Sequence, residues 1–198
     1  MNRGMVNAAA FLLSGCLAAP VLADWKLMPR DVAAAVVNGK MTVTPSQDWN
    51  RWSARPSEKG ELWTRDGFAL NELSFFAAIK HGEPIYRELD KTNQPLPKFK
   101  SEMLPTDLVE LFEISNRIVL QTPLFAIDHV EPAKLGGHDG VRFSYHYALE
   151  SDQLNRKGEG VAANIDGKLY LVNFVAPEIH YFDRDISDFR ALVGRIKI

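Results

Sequence analysis

Apolar and polar side chains alternate along the last third of the chain, and this pattern predicts antiparallel strands. Residues 141–149 alternate at period two, which is typical of a strand with one buried face. Two further β-rich runs, 160–165 and 168–176, are separated by Asp166-Gly167, a pair that favours a two-residue hairpin turn because both positions require positive φ. The middle of the second run is apolar on nearly both faces, so we expect that strand inside the sheet.

Apolar residues at helical spacing predict two helices. The first covers residues 104–121, with acidic residues near its start and Pro123 directly after its end. The second begins at the capping residues Asp183 and Asp185 and runs through about Lys197. One apolar face of this second helix, suited to packing on a sheet, consists of Ile186, Phe189, Val193 and Ile196.

The first half of the chain carries shorter strand signals. Asn38-Gly39 between two β-rich runs indicates another hairpin, and residues 73–80 alternate as a strand does. The proline-containing stretch 88–100 is long enough to be either a functional loop or a mobile one. Runs of strands with few helices predict an α+β fold, in which an antiparallel β-sheet is flanked by helices within one domain, residues 24–198.

Residues 1–23 are predicted to be an export signal, because Arg3 precedes an apolar run that is followed by small residues. Residues 13–16, Leu-Ser-Gly-Cys, resemble the lipobox of bacterial lipoproteins, in which cleavage falls before a cysteine that carries a diacylglycerol. The other processing site lies between Ala23 and Asp24, after an A-x-A-like pattern for ordinary signal cleavage. The sequence leaves both sites open.

Cys16 is the only cysteine in the sequence, and the lipobox resemblance makes it the predicted lipid attachment site and membrane anchor. Leu17 follows it where inner-membrane lipoproteins carry aspartate, which implies an outer-membrane lipoprotein facing the periplasm. Cleavage after Ala23 gives a soluble periplasmic protein instead. In both cases the folded part contains no thiol, which excludes cysteine catalysis.

The end of the chain is similar to the end of Mog1/PsbP-like domains. The resemblance rests on Asp-Gly-Lys-Leu-Tyr at 166–170, on Phe-Val-Ala-Pro-Glu at 174–178 and on the closing helix. It implies an antiparallel sheet between helices, and a role in binding partners or membrane-associated assemblies rather than in catalysis. The whole chain also resembles a group of uncharacterised proteobacterial lipoproteins, and the matching stretches are 43–45 with Trp49, 62–67 and 96–99. This second resemblance implies no activity.

The sequence contains no motif that identifies a reaction, a metal or a cofactor. The formal charge of −2 and the lack of a basic run argue against a nucleic-acid partner. The five histidines lack the spacing of a helical metal pair, and no phosphate-binding glycine motif opens a helix. His138-Asp139 and His146 could bring two imidazoles and a carboxylate together, although solvent-facing residues beside a turn are the simpler interpretation.

Three tryptophans lie close in sequence to charged residues, a composition found in interface hot spots and in ring-stacking grooves. They are Trp49, Trp52 and Trp63, with Arg65 and Asp66 following directly. The simpler interpretation is that two of the three tryptophans pack in the core, Trp63 among them, and that Trp49 covers a loop.

These features favour an exported, lipid-anchored envelope protein that acts as a non-enzymatic binding or assembly factor for a protein partner. The alternative is a periplasmic small-ligand binder or enzyme that uses residues 49–66 together with His138 or His146. A deep pocket lined by those residues would favour the alternative, whereas a shallow surface would count against it. A third hypothesis is a structural subunit of an envelope complex.

Overall fold

The computed structural model describes residues 25–149 and 154–198. The predicted export signal, Cys16 and both processing sites lie outside the described residues. In chain order the elements are β1 (Trp25–Met28), β2 (Ala34–Val36), β3 (Met41–Val43), β4 (Trp49–Trp52), β5 (Gly60–Thr64), β6 (Glu72–Lys80), α1 (Pro105–Val119), β7 (Phe125–Leu135), β8 (His138–Ala148), β9 (Asn155–Ile165), β10 (Lys168–Pro177) and α2 (Asp183–Val193).

Eight of these strands form one antiparallel sheet in the order β1-β4-β5-β6-β10-β9-β8-β7. The pairing of β6 with β10 joins the strands of the first half of the chain to those of the second half. Strands β2 and β3 form a separate two-stranded ribbon. The structure therefore confirms a mostly antiparallel sheet with two helices, and the sheet dominates the fold.

The sheet separates two hydrophobic cores. Helix α1 packs on one face over β7, β8 and β9, where the ring of Phe112 lies 4.9 Å from that of Phe143. Helix α2 and the β2–β3 ribbon cover the other face, where Phe189 is stacked on Phe174 at 5.8 Å. The two helices thus lie on opposite faces, as expected from the apolar stripe of each.

Both hairpin turns predicted from the sequence are confirmed. Asp166 and Gly167 have φ values of 50° and 71°, and Asn38 and Gly39 have φ values of 57° and 75°. These values lie in the left-handed region that a type I′ turn requires at its two central residues. The turns fix the register of β9 with β10 and of β2 with β3.

Several element boundaries differ from the prediction, and β9, for example, begins at Asn155 and not at residue 160. Helix α2 ends at Val193 and not near Lys197, because Lys197 leaves the helix and pairs with Thr42 through two backbone hydrogen bonds of 2.8 and 2.9 Å. Strand β8 begins at His138, because Gly136-Gly137 alone make the turn from β7. The early end of α2 depends on a contact between residues that are distant in sequence, so no local pattern predicts it.

Two glycines of β9 allow aromatic rings of β8 to lie flat across the sheet beneath α1. A Cβ atom on Gly158 would lie 2.1 Å from Cζ of Tyr145, and one on Gly160 would lie 2.3 Å from Cζ of Phe143. The Tyr145 hydroxyl thereby reaches across β9 and donates a hydrogen bond of 2.9 Å to Oδ1 of Asn173 on β10. These glycines are therefore needed because they have no side chain that would collide with the rings packed under α1. The reason is not an unusual backbone conformation.

Candidate functional site

Arg65 belongs to an internal charge network that fastens the loop after β5 to helix α2. Its Nη1 atom donates to Oδ1 of Asp185 at 2.9 Å and to Oδ2 of Asp188 at 3.0 Å. The Asp185 side chain is fully buried, and Arg184 donates to the same carboxylate at 2.7 and 2.6 Å. A buried carboxylate with this many charged donors is satisfied within the protein.

The carboxylate of Asp66 is occupied by the same network. Arg184 forms an ion pair with it, and Nδ2 of Asn71 donates a hydrogen bond of 2.8 Å. Partial burial acts to raise the pKa of the Asp66 carboxyl, but these hydrogen bonds outweigh it and hold the pKa below its usual value. Arg65 and Asp66 are thus accounted for by contacts that connect two parts of the fold.

Two of the three tryptophans lie in the core, and the one that lies outside it is Trp52, whereas the sequence predicted Trp49. Trp49 and Trp63 are fully buried in the core beneath α2, and the guanidinium of Arg65 lies 5.8 Å from the ring of Trp49. Two of the three tryptophans therefore pack in the core, as predicted. The expectation that Trp49 covers a loop is wrong, because Trp49 and Trp52 lie three positions apart on β4 and so point to opposite faces.

Trp52 forms a cluster of three rings, the aromatic edge patch, with Trp25 and Phe68. The ring of Trp25 is stacked on Trp52 at 6.4 Å, and the ring of Phe68 lies 5.1 Å from Trp52. Trp25 keeps 48% of its surface exposed, and Leu27 beside it keeps 56%. Helix α1 covers β7 to β9 on this side of the sheet, so the outer strands β1 and β4 remain uncovered there.

The two histidines singled out in the sequence are not brought together. His138 and His146 are both exposed on β8 and stand eight residues apart along one strand, which corresponds to about 26 Å. His146 contacts Asp128 of β7 at 2.6 Å, whereas His138 opens the strand directly after the Gly136-Gly137 turn. Within residues 25–149 and 154–198, no group of three His, Cys, Asp or Glu side chains is arranged to hold a metal ion.

A groove of about 450 Å³ lies between the loop that precedes α1 and the end of α1 itself. We call it the loop groove. Two of the segments that line it are joined by a hydrogen bond of 3.0 Å from the Arg87 amide to the Pro56 carbonyl. Its apolar surface is formed by Pro56, Tyr86, Leu89, Leu96, Ile118 and Val119.

The sequence indicated this region only through the length of the stretch 88–100. The residues that line the loop groove come from three separate segments, and their approach depends on the cross-link between Arg87 and Pro56. Arg87, at the rim of the groove, belonged to no recognisable motif, and Arg55 belonged to the stretch 49–66 that was considered for a different site. The volume falls in the range of small-molecule sites, about 300 to 1,000 Å³.

Glu72 is a further group that the sequence did not single out. It opens β6 on the face covered by α1, close to Tyr86 and Tyr145. Burial raises the pKa of its carboxyl to about 7, although part of the side chain remains accessible, and no described residue donates a hydrogen bond to it. The Tyr86 hydroxyl instead donates to Oδ1 of Asn116 at 3.1 Å.

Two solved structures are similar to the chain over most of its length. The cyanobacterial PsbP protein of Synechocystis superposes with a TM-score of 0.53 at 14% identity, covering 94% of this chain and 98% of that one. A protein of Bacteroides thetaiotaomicron superposes with a TM-score of 0.50 at 9% identity over 86% of this chain, which spans 48% of the length of that protein. At such low identity these likenesses show the fold alone, and it is PsbP-like.

LpqN, described as involved in cell envelope biogenesis of Mycobacterium tuberculosis, reaches a TM-score of only 0.31 at 9% identity, over 89% of this chain and 84% of its own. That superposition is too loose to bear on function. No protein-family model matches the chain, and no curated protein sequence does. Among the helices of the described residues, none has the length and apolar character needed to cross a membrane.

Proposed function

We propose that this protein is a non-enzymatic, lipid-anchored binding protein of the cell envelope, with a Mog1/PsbP-like fold, that docks a protein partner on its aromatic edge patch. The observation that carries the proposal is a cluster of three rings, the exposed Trp25 and the half-buried Trp52 and Phe68, on the uncovered part of the sheet. Tryptophan dominates the energetics of protein interfaces because a large apolar ring is buried at little cost in conformational entropy.

The two edge strands of the sheet differ in a way that also favours docking beside β1. Among the described residues β1 pairs only with β4, so its other edge is open to an added strand. Strand β7 at the opposite edge carries a bulge near Asp128, a proline at Pro132 and charged side chains such as Glu131, which protect an edge against pairing. An extended, apolar segment of the partner therefore fits beside β1.

The proposed lipid on Cys16 would hold this edge close to the membrane. Trp25 follows Cys16 by nine residues, a span of at most about 30 Å. A cysteine that carries a diacylglycerol and an added acyl chain gives stable anchoring, whereas a single chain gives only marginal binding. The partner is therefore an envelope protein at the membrane surface, and Leu17 supports the outer membrane as the location.

The alternative of a ligand site or active site that combines residues 49–66 with His138 or His146 is not retained. Trp49 lies in the core, and Arg65 is bound to Asp185 and Asp188. Strand β4 and strand β8 are five positions apart in the sheet, which corresponds to about 24 Å. The geometry offers no shared pocket in which these residues could act together.

Substitution of Cys16 tests the anchor. The Cys16→Ser protein should leave the membrane fraction and lose labelling by radioactive palmitate, while the unchanged protein remains membrane-bound and labelled. An unchanged protein that is soluble and unlabelled would refute the anchor and indicate cleavage after Ala23.

Site-specific photo-crosslinking in cells tests the partner. A photoreactive residue at Leu27, which is 56% exposed on β1, should give one defined protein adduct, and Trp52→Ala should weaken that adduct at least fivefold. The same residue at Val130, 40% exposed on the opposite edge, is the matched control and should give no such adduct. Adducts of equal strength at both positions, or adducts with lipid alone, would contradict the proposal.

A further inference from the structure

We infer that the loop groove binds a single-chain amphipathic carboxylate of the fatty-acid class, with the chain on the apolar wall and the carboxylate at Arg87 and Arg55. This site is separate from the aromatic edge patch and does not depend on the proposed partner. The inference combines three observations: a groove with an apolar wall, guanidinium groups at its rim with available donors, and an acidic neighbour whose carboxylate oxygens accept hydrogen bonds from their own loop.

The apolar wall of the loop groove fits an alkyl chain. A second depression shares Gln94 and Ile118 with the loop groove, but its other lining residues are mainly polar, so the apolar surface lies within the loop groove itself. Leu89 on the wall is 92% exposed and Val119 is 46% exposed, so apolar surface is available for burial. A chain laid along these side chains would remove that surface from water, which is the main favourable contribution to binding an acyl chain.

The rim supplies positive charge that no described residue neutralises. The guanidinium of Arg87 makes no hydrogen bond or ion pair with any described side chain, and that of Arg55 donates only one hydrogen bond, of 2.9 Å, to Oδ1 of Asn38. Most of the donors of both guanidinium groups therefore remain available. The planar array of donors on arginine matches a carboxylate through two parallel hydrogen bonds.

The acidic residue of the groove, Asp90, forms no ion pair with Arg55 or Arg87. The carboxylate of Asp90 accepts hydrogen bonds from the amides of Thr92 and Asn93 at 3.1 and 2.9 Å, and from Nδ2 of Asn93 at 2.8 Å. These contacts hold the pKa of Asp90 below its usual value and fold the loop that forms the wall. On the far side of the loop, Glu88 accepts the amide of Leu96 at 3.3 Å.

A groove with cationic side chains at one end and apolar side chains along its wall favours a ligand that has one anionic end and an apolar chain. A nucleotide would need several phosphate donors and a stacking face, and an acidic peptide would need more than one cationic subsite. A neutral alcohol of equal chain length would leave the guanidinium groups without a partner. The ligand class that fits both parts of the groove is therefore a long-chain monocarboxylate.

Calorimetric titration of the purified protein with laurate, below its micelle concentration, tests the inference. We expect one site per protein, weaker binding of dodecanol by at least tenfold, and no measurable binding of acetate. Arg87→Gln should weaken laurate binding about tenfold or more, the effect of losing a charge-assisted contact, and Val119→Glu should abolish it. Thermal unfolding of each variant checks that the fold is kept.

Lys91→Gln is the matched control, because Lys91 is an exposed cation of the same loop outside the loop groove and makes no hydrogen bond or ion pair with a described side chain. It should leave laurate binding within twofold of the unchanged protein. Equal affinities for laurate and dodecanol would overturn the inference, as would equal effects of Arg87→Gln and Lys91→Gln. Loss of the crosslink at Leu27 with laurate binding intact would refute only the proposed partner.

Discussion

The Arg65 guanidinium and the Asp185 carboxylate lie 2.9 Å apart although 120 residues separate them in the sequence. Asp185 is fully buried, whereas the Arg65 side chain keeps about a quarter of its surface exposed, at 24%. The contact fastens the loop between β5 and β6 to the first turn of α2. It therefore closes the fold between its first half and its last helix.

Removing the charge of Asp185 should destabilise the protein. Asp185→Asn removes the buried carboxylate that Arg65 and Arg184 share. Because Arg65 keeps Asp188 and Arg184 keeps Asp66, we expect a loss of about 1 to 3 kcal/mol. Urea unfolding followed by circular dichroism measures the change in the free energy of unfolding. The matched control is Asp31→Asn, which removes an exposed ion pair with Arg195 and should cost less than about 1 kcal/mol. Equal losses in the two variants would disprove a special role for the buried carboxylate.

Glu72 should make the stability of the protein depend on pH. Its carboxyl has a pKa of about 7 in the folded protein, against an ordinary value of 4.5, so the folded state binds the proton more tightly than the unfolded state. The stabilising contribution is complete below about pH 4.5 and is lost as the pH rises to about 7. Glu72→Gln removes this loss, because the amide has no charge to bury.

The advantage of Glu72→Gln over the unchanged protein should therefore grow between about pH 4.5 and pH 7 and stay constant above that interval. Midpoints of urea unfolding for both proteins, measured from pH 4 to pH 8, give this difference directly. Other titrating groups cancel because they are common to both proteins. A difference that is the same at every pH would show that Glu72 titrates as an exposed carboxyl does.

The close approach of Tyr145 to β9 predicts a large effect at one glycine. Gly158→Ala places a methyl group 2.1 Å from Cζ of Tyr145, so the ring must move and its hydrogen bond to Asn173 must lengthen. Overpacking of this kind costs about 1 to 3 kcal/mol. Gly194→Ala is the control, because its nearest neighbour is 3.6 Å away, and it should change the free energy of unfolding by less than about 1 kcal/mol. Similar effects at both glycines would contradict the packing argument.

The sequence predicted the elements whose signals are local. Alternation at period two and the Asp166-Gly167 turn placed β8, β10 and the second half of β9, because both signals depend only on residues adjacent in the chain. Strand β4 was missed because Trp-Asn-Arg-Trp is too short to show a period. Because this strand was missed, Trp49 was not assigned to the core and Trp52 was not assigned to the surface. Residues three positions apart on a strand point to opposite faces, so the strand itself implies this division.

The candidate sites were less predictable because each depends on contacts between distant segments. Nothing near Trp25 in the sequence shows that it stacks on Trp52, since the pairing of β1 with β4 decides it. The loop groove likewise requires Arg87 to be tied to Pro56. A long loop between strand and helix signals was the single local hint. The residue types that line it are common on any protein surface.

The pairing of β6 with β10 has a consequence for how the chain is made. These neighbours in the middle of the sheet come from residues 72–80 and 168–177, so a polypeptide emerging from the ribosome cannot close its sheet until almost all of it has been synthesised. Until then the hydrogen-bonding groups along one side of β6 have no partner strand. The pairing that joins the two halves of the sheet is therefore among the last contacts that the growing chain can form.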